Sequence, residues 1–190
     1  MAEKKRCEWC LKDDLYKEYH DKEWGTPLHD DQKLFEFLVL ESFQAGLSWH
    51  TVLKKRENFR KAFANFDAKK VSKFDTKKFD TLMQDAGIIR NKLKIEAAIN
   101  NAKCFLQIQK EFGSFDKYVW GFVGGKTLDS KRKTLKDVPA KTDISDAMSK
   151  DMGKRGFKFR GSTICYAFMQ AVGMVDDHAE YCWRKSKNKS

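Results

Sequence analysis

Leu34, Phe35, Phe37, Leu38, Val39 and Leu40 follow Asp31 with almost no polar interruption. A helix that is apolar on nearly every side has no solvent face, so the pattern predicts a buried helix from about Asp31, ended near Gly46. Val52, Leu53, Phe59 and Phe63 then recur at helical spacing with Lys54-Lys55-Arg56 outside, which predicts one helix over Trp49 to Phe66. Two further helices are expected at 75–84 and 91–112, separated by Gly87. The polar, basic stretch from Gly124-Gly125 to Pro139 reads as a long loop. Asp143 or Ser145 is placed to cap a helix over 146–155, and Ser162 or Thr163 opens another carrying Ile164, Phe168, Met169 and Val172. Arg184 to Ser190 reads as a charged, frayed tail.

Composition agrees with a helical core. The 190 residues are 41% hydrophobic and 34% charged, which excludes a fully disordered chain. Only 2 prolines are present, and valine and isoleucine are few, which favours helices over sheet. No repeat or linker divides the chain, so residues 1–190 are expected to form one unit. Lys+Arg 38 against Asp+Glu 27 gives +11, and such a surplus points to a polyanionic partner. No apolar run reaches the roughly 18 residues that a membrane helix needs. The start, Met-Ala-Glu-Lys-Lys-Arg, leads into Cys-Glu-Trp-Cys rather than an apolar signal core, so a cytoplasmic protein is expected.

Five cysteines are an odd number, and in the cytosol they stay reduced. Cys7 and Cys10 form C-x-x-C, and His178 and Cys182 stand four apart on one face of a turn. Both spacings bring two ligands to one metal, so a closed zinc site joining the chain ends is a candidate. Its fourth ligand is either Cys10 or His20, the latter on a short helix with Tyr16 and Tyr19. Cys104 and Cys165 lie on apolar helical faces and read as simply buried.

Glu41 follows Phe37-Leu38-Val39-Leu40, where a carboxylate has no inexpensive structural reason to be. Trp9, Trp24, Trp49, Tyr16 and Tyr19 crowd the same first fifty residues. Together they suggest a pocket that stacks a flat ring. A second constellation runs from Lys154 to Thr163 between two predicted helices. Gly156 and Gly161 expose backbone N–H groups there, and Lys158 and Arg160 add charge, as suits a phosphate. Ser162 stands where a Walker A loop needs lysine, and no zinc-deaminase signature is present.

The long motifs Tyr16-x-x-Tyr19-His20-Asp21-x-Glu23-Trp24-Gly25 and Leu40-Glu41-x-x-Gln44-Ala45-Gly46-Leu47-Ser48-Trp49 are similar to those of the 3-methyladenine DNA glycosylase I family. So are Leu53-Lys54-Lys55-Arg56, Asn91-x-x-Lys94-Ile95, and Gly156-Phe157-Lys158-Phe159 through Asp177-His178, which extends the resemblance over roughly residues 7–182. The resemblance implies an all-α helix-hairpin-helix glycosylase fold, with the hairpin at about 146–173. It implies a structural zinc on Cys7, His20, His178 and Cys182, with Cys10 a bystander. It also implies a base pocket mainly from 7–56, in which Glu41 is catalytic and Tyr16, Trp49, Trp9, Trp24 and Tyr19 bind the base. Gly156, Lys158, Arg160, Gly161 and Thr163 would grip DNA, and Asp176, close to the superfamily's catalytic aspartate position, is a second catalytic candidate. The implied activity is flipping out 3-methyladenine and hydrolysing its N-glycosidic bond. The implied partner is double-stranded DNA containing alkylated adenine, met by a monomer in the bacterial cytoplasm at the nucleoid. A broader alkylbase glycosylase and a non-catalytic nucleic-acid-binding module are the alternatives.

Overall fold

Side-chain caps start nearly every helix, as the computed structural model shows over residues 4–185, the part of the chain that is described. After a 3-10 turn at Glu8–Cys10, Asp13 accepts from the Tyr16 N–H and opens α1 (Asp14–Lys22). Asp30 does the same for α2 (Asp31–Gln44), and Ser48 for α3 (Trp49–Lys54). Next come α4 (Arg56–Ala62), α5 (Ala68–Val71), α6 (Thr76–Gln84), α7 (Lys92–Phe112) and α8 (Phe115–Gly121). The chain closes with β1 (Leu128–Asp129), α9 (Asp143–Lys154), α10 (Ser162–Ala171) and β2 (Val175–Asp176). A capping carboxylate, hydroxyl or amide satisfies N–H groups that the helix itself cannot. α10 is the exception among the longer described helices, because Gly161 at its N-terminus brings no side chain to it.

The architecture is all-α, apart from a two-residue parallel ladder pairing Leu128 with Val175 and Asp129 with Asp176. α2 is the central rod, packed against α3, α7, α8 and α10. Every residue from Leu34 to Phe43 is buried. One large hydrophobic cluster spans α1 to β2, and a small satellite of Cys7, Ala179 and Cys182 sits where the two chain ends meet. No described helix is long and apolar enough to cross a membrane.

Several expectations need correction. The helix expected over Trp49–Phe66 breaks at Lys55, where α3 ends and α4 begins. The break turns Arg56 inward onto Glu36 and Glu23 while Lys55 reaches out to the carbonyls of Ala86 and Gly87. Ala64, Asn65 and Phe66 then adopt left-handed backbone, which ends any helix there. Thr142, not Asp143 or Ser145, caps α9, and Ser145 completes the capping box. The short α5 and α8 and the small ladder were not legible in the periodicity. The expected tail is not frayed at its start: Lys185 is buried and paired with Asp129 at 2.5 Å and Asp176 at 3.4 Å, and Arg184 donates to Thr26. Residues 186–190 lie outside the described part.

Candidate active site and metal-ligating cluster

Two glutamates of α2 are buried to the same degree and treated in opposite ways. Glu36, 5% exposed, accepts from the guanidiniums of Arg56 and Arg60. Glu41, 4% exposed and in the last turn, has no cation beside it, and its Oε2 has no hydrogen-bond partner among the described residues. Burial alone pushes its carboxyl pKa up to about 8. The buried Trp49 indole N–H is likewise without a partner. An unsatisfied buried acceptor and donor each cost on the order of 1–3 kcal/mol, so both are groups that a ligand would satisfy.

Tyr16 and Tyr19 lie near enough to feel this carboxyl, and further rings pack against them. The Trp49 ring stacks on Phe37 at 6.4 Å and 18°, and lies 5.5 Å from Tyr19. Tyr16 is half-buried and Tyr19 buried. Burial, and after it the Glu41 charge, raises the pKa of both phenols, so they stay neutral beside it. Trp9 meets Tyr16 edge-on at 4.9 Å, and the His50 ring backs Tyr16 at 5.1 Å. His50 is held in turn by Asp13, Nε2 to Oδ2 at 2.5 Å. Behind Phe37 the Arg56 guanidinium lies 5.1 Å from the ring centre. His50 and Asp13 were not singled out in the sequence, Phe37 read only as core, and Arg56 read as outward-facing and as part of a family motif. Their places at the site carry no signal until tertiary contact gives them one.

Trp24 packs toward a second cluster. Its ring is 4.7 Å from His178 and 5.0 Å from Trp9, on the side of the second cluster. There Cys7, His20, His178 and Cys182 are all buried, and their ligand atoms lie within 4.8 Å of one another. Cys182 Sγ is 3.4 Å from His20 Nε2 and 3.6 Å from His178 Nδ1, and Cys7 Sγ is 3.7 Å from His178 Nδ1. The other ring nitrogens are engaged, His20 Nδ1 with Asp21 at 2.9 Å and His178 Nε2 with the Trp24 carbonyl at 3.2 Å. The Cys7 thiol and the two imidazoles hold the Cys182 thiol far below its ordinary range. Such a group could hold a metal ion. Cys10 is not part of it; its thiol donates to the Cys7 carbonyl. Gly25, at φ +71, is required here, since a Cβ would stand 2.8 Å from His178 Nε2.

The turn between α9 and α10 carries the remaining candidates. Gly156 takes φ +87 just past α9, and buried Phe157 anchors the turn. Lys158, Gly161 and Thr163 are exposed. Arg160 is only half-exposed, its guanidinium laid against Gly153 and Ser149 of α9. Asp176 does not face an open site. It is buried on β2, accepting from the His178 N–H and pairing with Lys185.

Comparison with known proteins follows the same line. Residues 9–185 match the family described as Methyladenine glycosylase. The chain belongs to that family. It is 50% identical over 177 residues to the DNA-3-methyladenine glycosylase of Haemophilus influenzae, covering 93% of this chain and 96% of the relative. It is also 50% identical over 184 residues to DNA-3-methyladenine glycosylase 1 of Escherichia coli, covering 97% and 98%. A crystal structure of a 3-methyladenine DNA glycosylase I superposes with TM-score 0.92 at 47% identity, covering 94% of this chain and 98% of the other.

Proposed function

We propose that this protein is a DNA repair N-glycosylase that takes 3-methyladenine out of the duplex and hydrolyses its bond to deoxyribose, leaving an abasic site. The observation that carries the reading is Glu41 Oε2 beside aromatic rings, buried and unpartnered, with no cation of the protein's own to neutralise it. Methylation at N3 places positive charge on the adenine and weakens its glycosidic bond, so little leaving-group assistance is required. Selectivity is the harder task. Rings such as Trp49, Tyr16 and Tyr19 attract a flat cation through their π faces, which neutral adenine does not share. Glu41, protonated while the pocket is empty, releases its proton to solvent when the cationic base enters, then accepts a hydrogen bond from the exocyclic amine and supplies the counter-charge. Trp9 and Trp24 form the outer wall that passes into the metal cluster.

The metal is zinc in this reading. A tetrahedral Cys2His2 zinc places neighbouring S and N ligands about 3.6 Å apart, and the three measured S–N edges span 3.4–3.7 Å. Four protein ligands leave no open position, so the role is to join the chain ends. α9, the 155–161 turn and α10 act as the helix-hairpin-helix. Gly156, Lys158, Gly161 and Thr163 hold a backbone phosphate at the uncapped α10 N-terminus, with Arg160 adding charge from the α9 flank. Asp176, tied to Lys185 and the His178 N–H, takes no part.

Incubation with methylated duplex DNA should release 3-methyladenine and no other base. Release of 7-methylguanine as well identifies the broader glycosylase, and no release identifies a binding module. Trp49→Ala should lose a stacking surface worth about 1–3 kcal/mol, read as weaker binding of the free base and slower release. Affinity for undamaged DNA should fall steeply with salt, and Lys158→Ala should reduce the slope by about one unit for every sequence alike. A loss confined to certain sequences would instead indicate base reading by Lys158.

A further inference from the structure

α7 is a long half-buried helix that the activity above leaves unused, yet it touches both edges of the site. Lys94, 6% exposed, has no carboxylate partner among the described residues. Its ammonium donates to the carbonyls of Phe43 at 2.8 Å and Ala45 at 2.5 Å, the open end of α2. Those carbonyls lie two and four residues after Glu41, where α2 gives way to the loop 45–48 that delivers Trp49. A cation at the C-terminal carbonyls of a helix satisfies groups that the helix leaves bare. Desolvating an ammonium for that purpose alone is costly when water would serve an exposed loop.

Asn101 follows Lys94 by nearly two turns, so both project from one face of α7, about 10 Å apart along its axis. Asn101 is 1% exposed and pairs with the Lys158 backbone in both directions, donating to its carbonyl at 2.9 Å and accepting from its N–H at 2.8 Å. Asn100 adds a bond to the Gly156 carbonyl at 2.8 Å. The turn so held includes Phe159 at φ +47, a conformation that a phenylalanine keeps only when its surroundings impose it.

We propose that Lys94 and Asn101 are positioning residues, and that α7 is the brace that sets the distance between the base pocket and the turn that grips DNA. The inference rests on the function proposed above. A flipped base reaches the pocket only if the phosphates are held at the matching distance from Glu41 and Trp49, so both attachments are required on one rigid element. Lys94 governs the shape of the pocket edge. Asn101 governs the placement of the turn.

The two halves separate experimentally. Binding of free 3-methyladenine, followed by tryptophan fluorescence, reports the pocket; binding of undamaged duplex reports the turn; single-turnover release reports both. Lys94→Met should weaken free-base binding about tenfold and leave duplex affinity within about twofold, with Lys94→Arg recovering part of the loss. Asn101→Leu should do the reverse, and the milder Asn100→Ala should move in the same direction should Asn101→Leu fold poorly. Release should fall in all but Lys94→Arg by more than the affinity that each changes. Folded variants that keep wild-type release, or that weaken both affinities equally, overturn the brace. Because both binding measurements need no chemistry, they decide it even where wild-type protein releases no base, a result that would instead sink the proposed function.

Discussion

Glu41→Gln will slow excision about ten- to a hundredfold and gain stability relative to wild type as the pH rises. The Glu41 carboxyl is buried without a counter-cation, and burial pushes its pKa up to about 8 from an ordinary 4.5. A carboxyl raised in the folded state binds its proton more tightly there than in the unfolded chain. Its favourable contribution is full below the unfolded pKa and is lost progressively as pH rises through the folded one, here from about pH 5 to pH 8. Glutamine does not titrate, so the stability of the variant relative to wild type should increase across that window by on the order of 3 kcal/mol. Burying an unsatisfied amide shifts the whole variant curve but not this trend. Urea denaturation at pH 5 and pH 8 measures it; parallel curves for the two proteins would show that Glu41 is not held neutral. Activity should move the other way. Losing a charge-assisted hydrogen bond and the counter-charge should slow 3-methyladenine release about ten- to a hundredfold. Full activity in Glu41→Gln with collapse in Asp176→Asn would place the chemistry at Asp176.

Removing one metal ligand should have the largest effect on folding. Cys7, His20, His178 and Cys182 cluster where the two chain ends meet, and the satellite core beside them is small. A closed structural site contributes its binding free energy to folding. Cys182→Ser and His20→Ala should therefore lose one zinc per chain and drop the Tm by roughly 10 °C or more, as should a strong chelator on the wild type. Cys10→Ser should keep both metal and Tm, because Cys10 Sγ donates to the Cys7 carbonyl and is not one of the four clustered ligand atoms. Elemental analysis beside thermal melting checks each. Loss of metal from Cys10→Ser with retention in His20→Ala would reverse the ligand assignment.

Local order along the chain was determined by the sequence itself. The unbroken apolar run 34–40 has nowhere to go but inside, and aspartate, serine and asparagine ahead of periodic segments supply caps whatever the tertiary context. The C-x-x-C and H-x-x-x-C spacings pointed to a cluster that could hold a metal ion. They did not choose between Cys10 and His20, because Cys10 is near Cys7 in sequence but turns its thiol onto a carbonyl. Glu41 was conspicuous for the same reason that it matters, a charge placed in an apolar run. What the tertiary structure alone decided is compensation. Glu36 and Glu41 lie on the same helix with the same burial, and only the fold brings Arg56 and Arg60 to one and leaves the other without a cation. Likewise Lys94 and Asn101 look like ordinary helix residues until α2 and the 156–159 turn are set against them. Periodicity and spacing act over a few residues, whereas the energy of a buried charge or amide depends on partners dozens of residues away, so only the folded chain determines it.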